Sequence, residues 1–213
     1  MLSAYKQILT IFAALLAFAG ILVTADCGAT RPIKYYTLNS APMPAPSVMA
    51  QSGAPIPVTI LVGRITASPL YFEHPIVYTA GGVEMGTYEY HRWAEIPTEM
   101  LENMIARTLR SEARYRSVVR PSSGVKGDYI LRGHLYALEE VDAPALTARF
   151  SLELELFQPK TGTVVWSQSY NHDEPVSQKT VLAVVEALRQ NVLTGLDQLT
   201  ASLDSYVSSA SSR

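Results

Sequence analysis

Leu152-Glu153-Leu154-Glu155-Leu156 alternates strictly between aliphatic and acidic side chains, and this run decides the fold. A strand turns successive side chains to opposite faces, so the three leucines share one face and the two glutamates the other. One side of the resulting sheet packs on a core and the other meets water. Downstream, Gln158-Pro159-Lys160-Thr161-Gly162 is a turn into a further strand over residues 164–170, and upstream, residues 129–138 carry a weaker alternation. Both neighbours extend the same sheet.

Farther back, Ile76-Val77-Tyr78-Thr79 ahead of Gly81-Gly82 reads as a strand entering a hairpin with residues 84–93. Residues 58–62 are a β-branched and aliphatic run ending at Gly63, and Lys34-Tyr35-Tyr36-Thr37-Leu38 is one more strand. Between these two, residues 40–57 hold five prolines among Ala, Ser and Gly and have no periodicity, which predicts a loop.

Two stretches change period. Pro97 falls at a first helical position, and Met100, Leu101, Met104, Ile105 and Leu109 recur every three or four residues, predicting an amphipathic helix to about Tyr115. The second stripe is Val181, Val185, Leu188, Val192, Leu196, Leu199, Leu203 and Tyr206. Burying eight such side chains is worth roughly 10–20 kcal/mol before conformational entropy is set against it, so this helix is expected to dock on its own sheet. Ser208 to Arg213 is polar and expected to fray. The pattern adds up to an α/β fold of the α+β kind, a mixed, mostly antiparallel sheet of about seven or eight strands with two main helices.

The amino terminus has a different character. Lys6 precedes an uncharged, mostly apolar stretch over residues 7–25, followed by Asp26 and by Cys27, the only cysteine. This is an export signal or a membrane anchor. Three maturations stay open: lipid attachment to the Cys27 thiol, cleavage after Ala25 in Val23-Thr24-Ala25, or retention of the segment as an uncleaved anchor. Small residues suit a lipid-processing site and Asp26 is neither small nor neutral, whereas a lone thiol in an oxidising compartment is safest when capped. The chain thus divides into residues 1–26, a signal or anchor; 27–33, a tether; 34–206, one domain; and 207–213, a polar tail. Removing residues 1–26 deletes one base, Lys6, and one acid, Asp26, leaving 16 basic and 18 acidic residues and a net charge still at −2. That balance argues against nucleic acid as a partner.

Residue patterns that support catalysis or metal binding are absent from the sequence. His74, His91, His134 and His172 are scattered without metal-pair spacing, so no metal site is expected. Glu153 and Glu155 fit a solvated strand face better than a paired-carboxylate site. No phosphate-cradling glycine loop and no Gly-x-Ser-x-Gly turn occurs, and neither an enzyme nor a cofactor is expected.

The remaining feature is Met85-Gly86-Thr87-Tyr88-Glu89-Tyr90-His91-Arg92-Trp93-Ala94-Glu95, which packs three large aromatics and four charged or titratable groups into one strand-like run. By strand parity Tyr88, Tyr90 and Arg92 fall on one face and Glu89, His91 and Trp93 on the other. Tyr, Trp and Arg are the types enriched at interface hot spots, which makes Tyr88, Tyr90, Arg92 and Trp93 candidate partner-binding residues. The alternative is an edge strand whose aromatics fill the domain's own core.

Lys34-Tyr35-Tyr36-Thr37-Leu38, then Val62-Gly63, Pro69-Leu70-Tyr71, Pro75-Ile76-Val77-Tyr78 and Tyr90-His91-Arg92-Trp93-Ala94-Glu95, in that order, resemble the ABC-type transport auxiliary lipoprotein family, the PqiC-like group. The resemblance implies a sandwich of the kind seen in the TolB amino-terminal domain and lipidation at Cys27. It implies a place on the periplasmic face of a bacterial membrane, the outer membrane rather than the inner. Its implied partners are ABC transporter subunits and a mammalian-cell-entry-type substrate-binding protein, with homo-oligomers allowed, and its implied role is lipid trafficking between inner and outer membranes. A competing expectation is a periplasmic carrier that holds an acyl chain between helix and sheet.

Overall fold

The computed structural model describes residues 31–39 and 55–211. The apolar amino-terminal segment, Cys27 and residues 40–54 lie outside them. Eight strands form one sheet: β1 (Lys34–Tyr36), β2 (Ile56–Ala67), β3 (Pro75–Ala80), β4 (Glu84–Trp93), β5 (Tyr115–Val119), β6 (Tyr129–Val141), β7 (Thr147–Gln158) and β8 (Thr163–Pro175). Two α-helices, α1 (Pro97–Ser111) and α2 (Val181–Ser211), accompany them. The expected mixed sheet with two main helices is what forms. Its parallel content is higher than the sequence suggests, because β1–β4, β2–β5, β2–β6 and β3–β6 all pair parallel. The longest ladders, β6–β7 and β7–β8, are antiparallel, as is the β3–β4 hairpin.

β6 is the spine of the sheet. β7 runs along one of its sides, while the other side is shared, with β2 against residues 129–135 and β3 against residues 139–141. The sheet therefore forks into a β2–β5 branch and a β3–β4–β1 branch.

The strict alternation of β7 places Ala148, Phe150, Leu152, Leu154 and Leu156 on the helix-bearing face, each at most 1% exposed. They meet Leu188, Val192, Leu196, Leu199 and Leu203 of α2, also at most 1% exposed, so the interface between helix and sheet is filled by side chains. Gly195 is needed where α2 crosses β8, because a Cβ there would stand 2.7 Å from the Tyr170 ring. Asn191, fully buried, clamps the same crossing. Its Nδ2 donates to the carbonyls of Ala148 (2.9 Å) and His172 (2.8 Å), and its Oδ1 accepts from the Tyr170 hydroxyl (2.8 Å). A buried amide satisfied this fully fixes position as well as contributing stability.

On the opposite face the β7 glutamates are solvated, as expected. Glu153 accepts from the Tyr136 hydroxyl (2.8 Å) and from Ser167 Oγ (3.1 Å), and Glu155 accepts from Arg132 Nε (3.1 Å).

Three boundaries differ from the sequence reading. α1 stops at Ser111, and Tyr115 opens the strand β5, which the sequence reading did not contain. The break is a residue at positive φ, Ala113 at 51°. The buried Tyr115 hydroxyl then donates to Asp204 of α2, joining β5 to that helix. β2 does not end at Gly63 but continues to Ala67, with Gly63 seated against β6. Last, the expected polar tail over 207–213 is corrected: α2 runs to Ser211 and Val207 is 0% exposed, because the helix is long enough to keep its apolar stripe on the core beyond Tyr206.

Candidate docking surface

β4 begins in a tight hairpin. Gly81 and Gly82 take φ of 57° and 79°, conformations that cost side-chain-bearing residues strain, and Gly81 N–H donates to Asp142 Oδ1 (2.7 Å). Two residues into the strand, the Tyr78 ring lies over Gly86, where a Cβ would come within 2.5 Å of it.

The next segment breaks simple alternation. Val77 pairs with Thr87 but Pro75 pairs with Arg92, so two steps along β3 correspond to five along β4. The extra residues bulge and change the facing of everything after them. Tyr88, expected beside Arg92, instead turns to the helix-bearing side. There its ring meets Tyr78 edge-on (centroids 5.3 Å apart) and His91 (5.6 Å), and its hydroxyl donates to Glu140 Oε2 (2.7 Å). Burial first, and the Glu140 carboxylate second, push the Tyr88 phenol well above the usual tyrosine range, so it stays a donor. Beside this pair opens a cleft of about 370 Å³ between Tyr88, the 142–146 loop and the amino end of α2 at Val181 and Val184.

Trp93 requires a correction. It is 1% exposed, in the core, with its backbone N–H bonded to the His74 carbonyl (2.6 Å) and its backbone carbonyl 3.0 Å from His74 Nδ1. A ring so enclosed offers no surface to a partner; it anchors β4 to the domain's own interior. Beside it, Tyr36 of β1 stacks on His91, with its hydroxyl 2.8 Å from Nδ1.

Tyr90 and Arg92 are half-buried. Arg92 pairs with Tyr35 of β1, a residue 63% exposed, and the Arg92 Nε is sealed from water without a hydrogen-bond partner. A buried guanidinium N–H left unpaired is costly. The structure thus divides the four candidates: Trp93 is in the core, Tyr88 lines a cleft on the helix side, and Tyr90 and Arg92 are half-buried at the end of β4 that β1 covers. The bulge that divides them has no signal in residue types, which is why parity alone misplaced Tyr88.

Elsewhere, among the described residues, no group of three His, Cys, Asp or Glu side chains is placed to hold a metal ion, and no helix is long and apolar enough to cross a membrane.

A family model described as "ABC-type transport auxiliary lipoprotein component" matches residues 36–201. The chain belongs to that family. Membership makes it an auxiliary component associated with ABC-type transport and one of a family of envelope lipoproteins. Among solved structures, a protein from Xanthomonas campestris is 22% identical with a TM-score of 0.65, covering 81% of this chain and 99% of its own. An uncharacterised protein, 14% identical with a TM-score of 0.62, covers the same shares, and both likenesses speak to fold alone. PelC from Paraburkholderia phytofirmans, a dodecamer, is more distant at 14% identity and a TM-score of 0.40, over 67% of this chain and 90% of its own. No curated protein matches.

Proposed function

We propose that this protein is a membrane-anchored periplasmic subunit of a mammalian-cell-entry-type lipid transport system. It supports traffic between the inner and outer membranes by docking partner subunits and performs no chemistry. The family assignment over residues 36–201 supports the transport role. The observation that supports the docking role is the edge strand β1 with the end of β4 beside it, where exposed Tyr35 is in register with half-buried Arg92 and half-buried Tyr90 lies two residues before it. Aromatic and arginine side chains at such an edge are the usual energetic centres of interfaces. Cys27 is the proposed attachment point, by two acyl chains on its thioether, in the outer membrane.

The carrier alternative needs room for an acyl chain between helix and sheet, and that interface is occupied by Phe150, Leu154, Leu188 and Leu196, all at most 1% exposed. Affinity isolation of the tagged full chain from native membranes tests the proposal. It expects ABC transporter subunits and a mammalian-cell-entry-type protein to co-isolate; isolation of the chain alone, with stoichiometric phospholipid bound, would favour the carrier. Cys27→Ser should release the domain from the membrane fraction, and a variant that stays membrane-bound at full length would point to an uncleaved anchor.

A further inference from the structure

One end of the domain carries apolar side chains that its own packing does not use. The turn between β3 and β4 is Gly81-Gly82-Val83, and Val83 at its tip is 89% exposed. Met85 follows at 47%, and Leu182, in the first turn of α2, is 69% exposed. The 142–146 loop links these elements. Asp142 Oδ1 accepts the Gly81 N–H (2.7 Å), and the Leu146 carbonyl accepts the N–H of Val176 (3.2 Å), in the stretch that leads to α2. Pro144 and Ala145 of that loop are exposed as well. A single exposed apolar residue is ordinary, whereas several gathered at one end mark a contact.

What this end contacts follows from the length of chain before β1, and this step rests on the acylation of Cys27 proposed above. β1 runs parallel with β4, Lys34 opposite His91, so its amino end faces back along β4 toward the hairpin. Ile33 stands six residues after Cys27, so the two are at most about 22 Å apart. From Pro75, level with Arg92, to Ala80 at the hairpin is five residues of β3, a rise of about 17 Å that lies within that reach. The β7–β8 turn is at the other end of β7, about 37 Å from the 142–146 loop. Exposed Glu84 and Asp142 outnumber exposed Lys179 at the hairpin end, which suits a zwitterionic lipid surface and opposes an anionic one. We propose that the β3–β4 hairpin, with the first turn of α2 beside it, rests in the zwitterionic surface of the bilayer that holds Cys27, with Val83 inserted at the boundary of headgroups and acyl chains.

The test is a nitroxide label on the full acylated chain in phosphatidylcholine vesicles. Acylation occupies the Cys27 sulfur, so Val83→Cys, Leu182→Cys and, in the β7–β8 turn, Lys160→Cys each provide one reactive thiol. Relaxation of the label by oxygen, which concentrates in lipid, is compared with relaxation by a water-soluble nickel chelate. The oxygen-to-nickel ratio is expected to be severalfold higher at position 83 than at position 160, with position 182 between them and all three melting temperatures unchanged. A ratio at 83 equal to that at 160 overturns the proposal. So does a label at 83 shielded from both agents, which would mean a protein contact in place of lipid. Wild type is expected to take no label; if it does, Cys27 carries no lipid, the anchoring reading itself fails, and the proposal falls with it.

Discussion

The β6–β7–β8 half of the sheet and the β3–β4–β1 branch start from comparable sequence material and end in different states. In the first half, an unbroken two-residue alternation meets one long helix, every inward side chain on β7 is buried, and the crossing is closed by Asn191 and Gly195. In the second, a bulge between Thr87 and Arg92 breaks the alternation, and aromatic residues are divided between the core, a cleft and an edge. Regular periodicity serves the core here, and the departure from it divides one strand's aromatic residues between interior and surface.

That contrast breaks most readily in its regular half. Leu196→Asp buries a carboxylate in the apolar core between α2 and the sheet, and several kcal/mol of destabilisation, comparable with the stability of a whole domain, is expected. Thermal melting near the wild-type temperature would mean that α2 is not integral to the core. Trp93→Ala comes next, at about 3–5 kcal/mol by chemical denaturation, because it empties a fully buried site where the irregular branch joins the interior.

A smaller effect follows pH at the junction of α1, β5 and α2. Glu112 lies beside Asp204 and is pushed up to about 7, by burial first and by Asp204 second, against the lowering influence of Arg114 at 3.7 Å. A folded-state value above the unfolded one means that the folded protein holds the proton more tightly. The contribution is therefore fully present below the ordinary carboxylate range near 4.5 and is lost as pH rises through about 7. The melting temperature should fall by a few degrees between pH 5 and pH 8 on this account, and Glu112→Gln should flatten that fall. An unaltered slope in the variant would place the titration elsewhere.

The legible parts of the sequence were those governed by one period. Leu152 to Leu156, the α2 stripe and the Gly81-Gly82 hairpin fall where residue types put them, since each depends on local spacing or on one backbone conformation. β5 is hidden in the sequence because no glycine or proline stands between Leu109 and Tyr115 to mark the end of α1, and the deciding feature, the positive φ of Ala113, has no signature in an alanine. The candidate site was half legible. Its composition marked the segment, but whether Trp93 points in or out depends on a bulge set by pairing with β3, which is a tertiary fact.

The central claim is that one strand holds a structural aromatic and a docking arginine one residue apart. Comparing Arg92→Ala with Trp93→Ala for melting temperature and for recovery of transporter subunits from native membranes tests it most directly. The account predicts that Arg92→Ala melts close to wild type and loses partner recovery by an amount equivalent to about 2 kcal/mol or more, whereas Trp93→Ala is destabilised throughout. Unchanged recovery with Arg92→Ala, or a loss of stability matching that of Trp93→Ala, would contradict it.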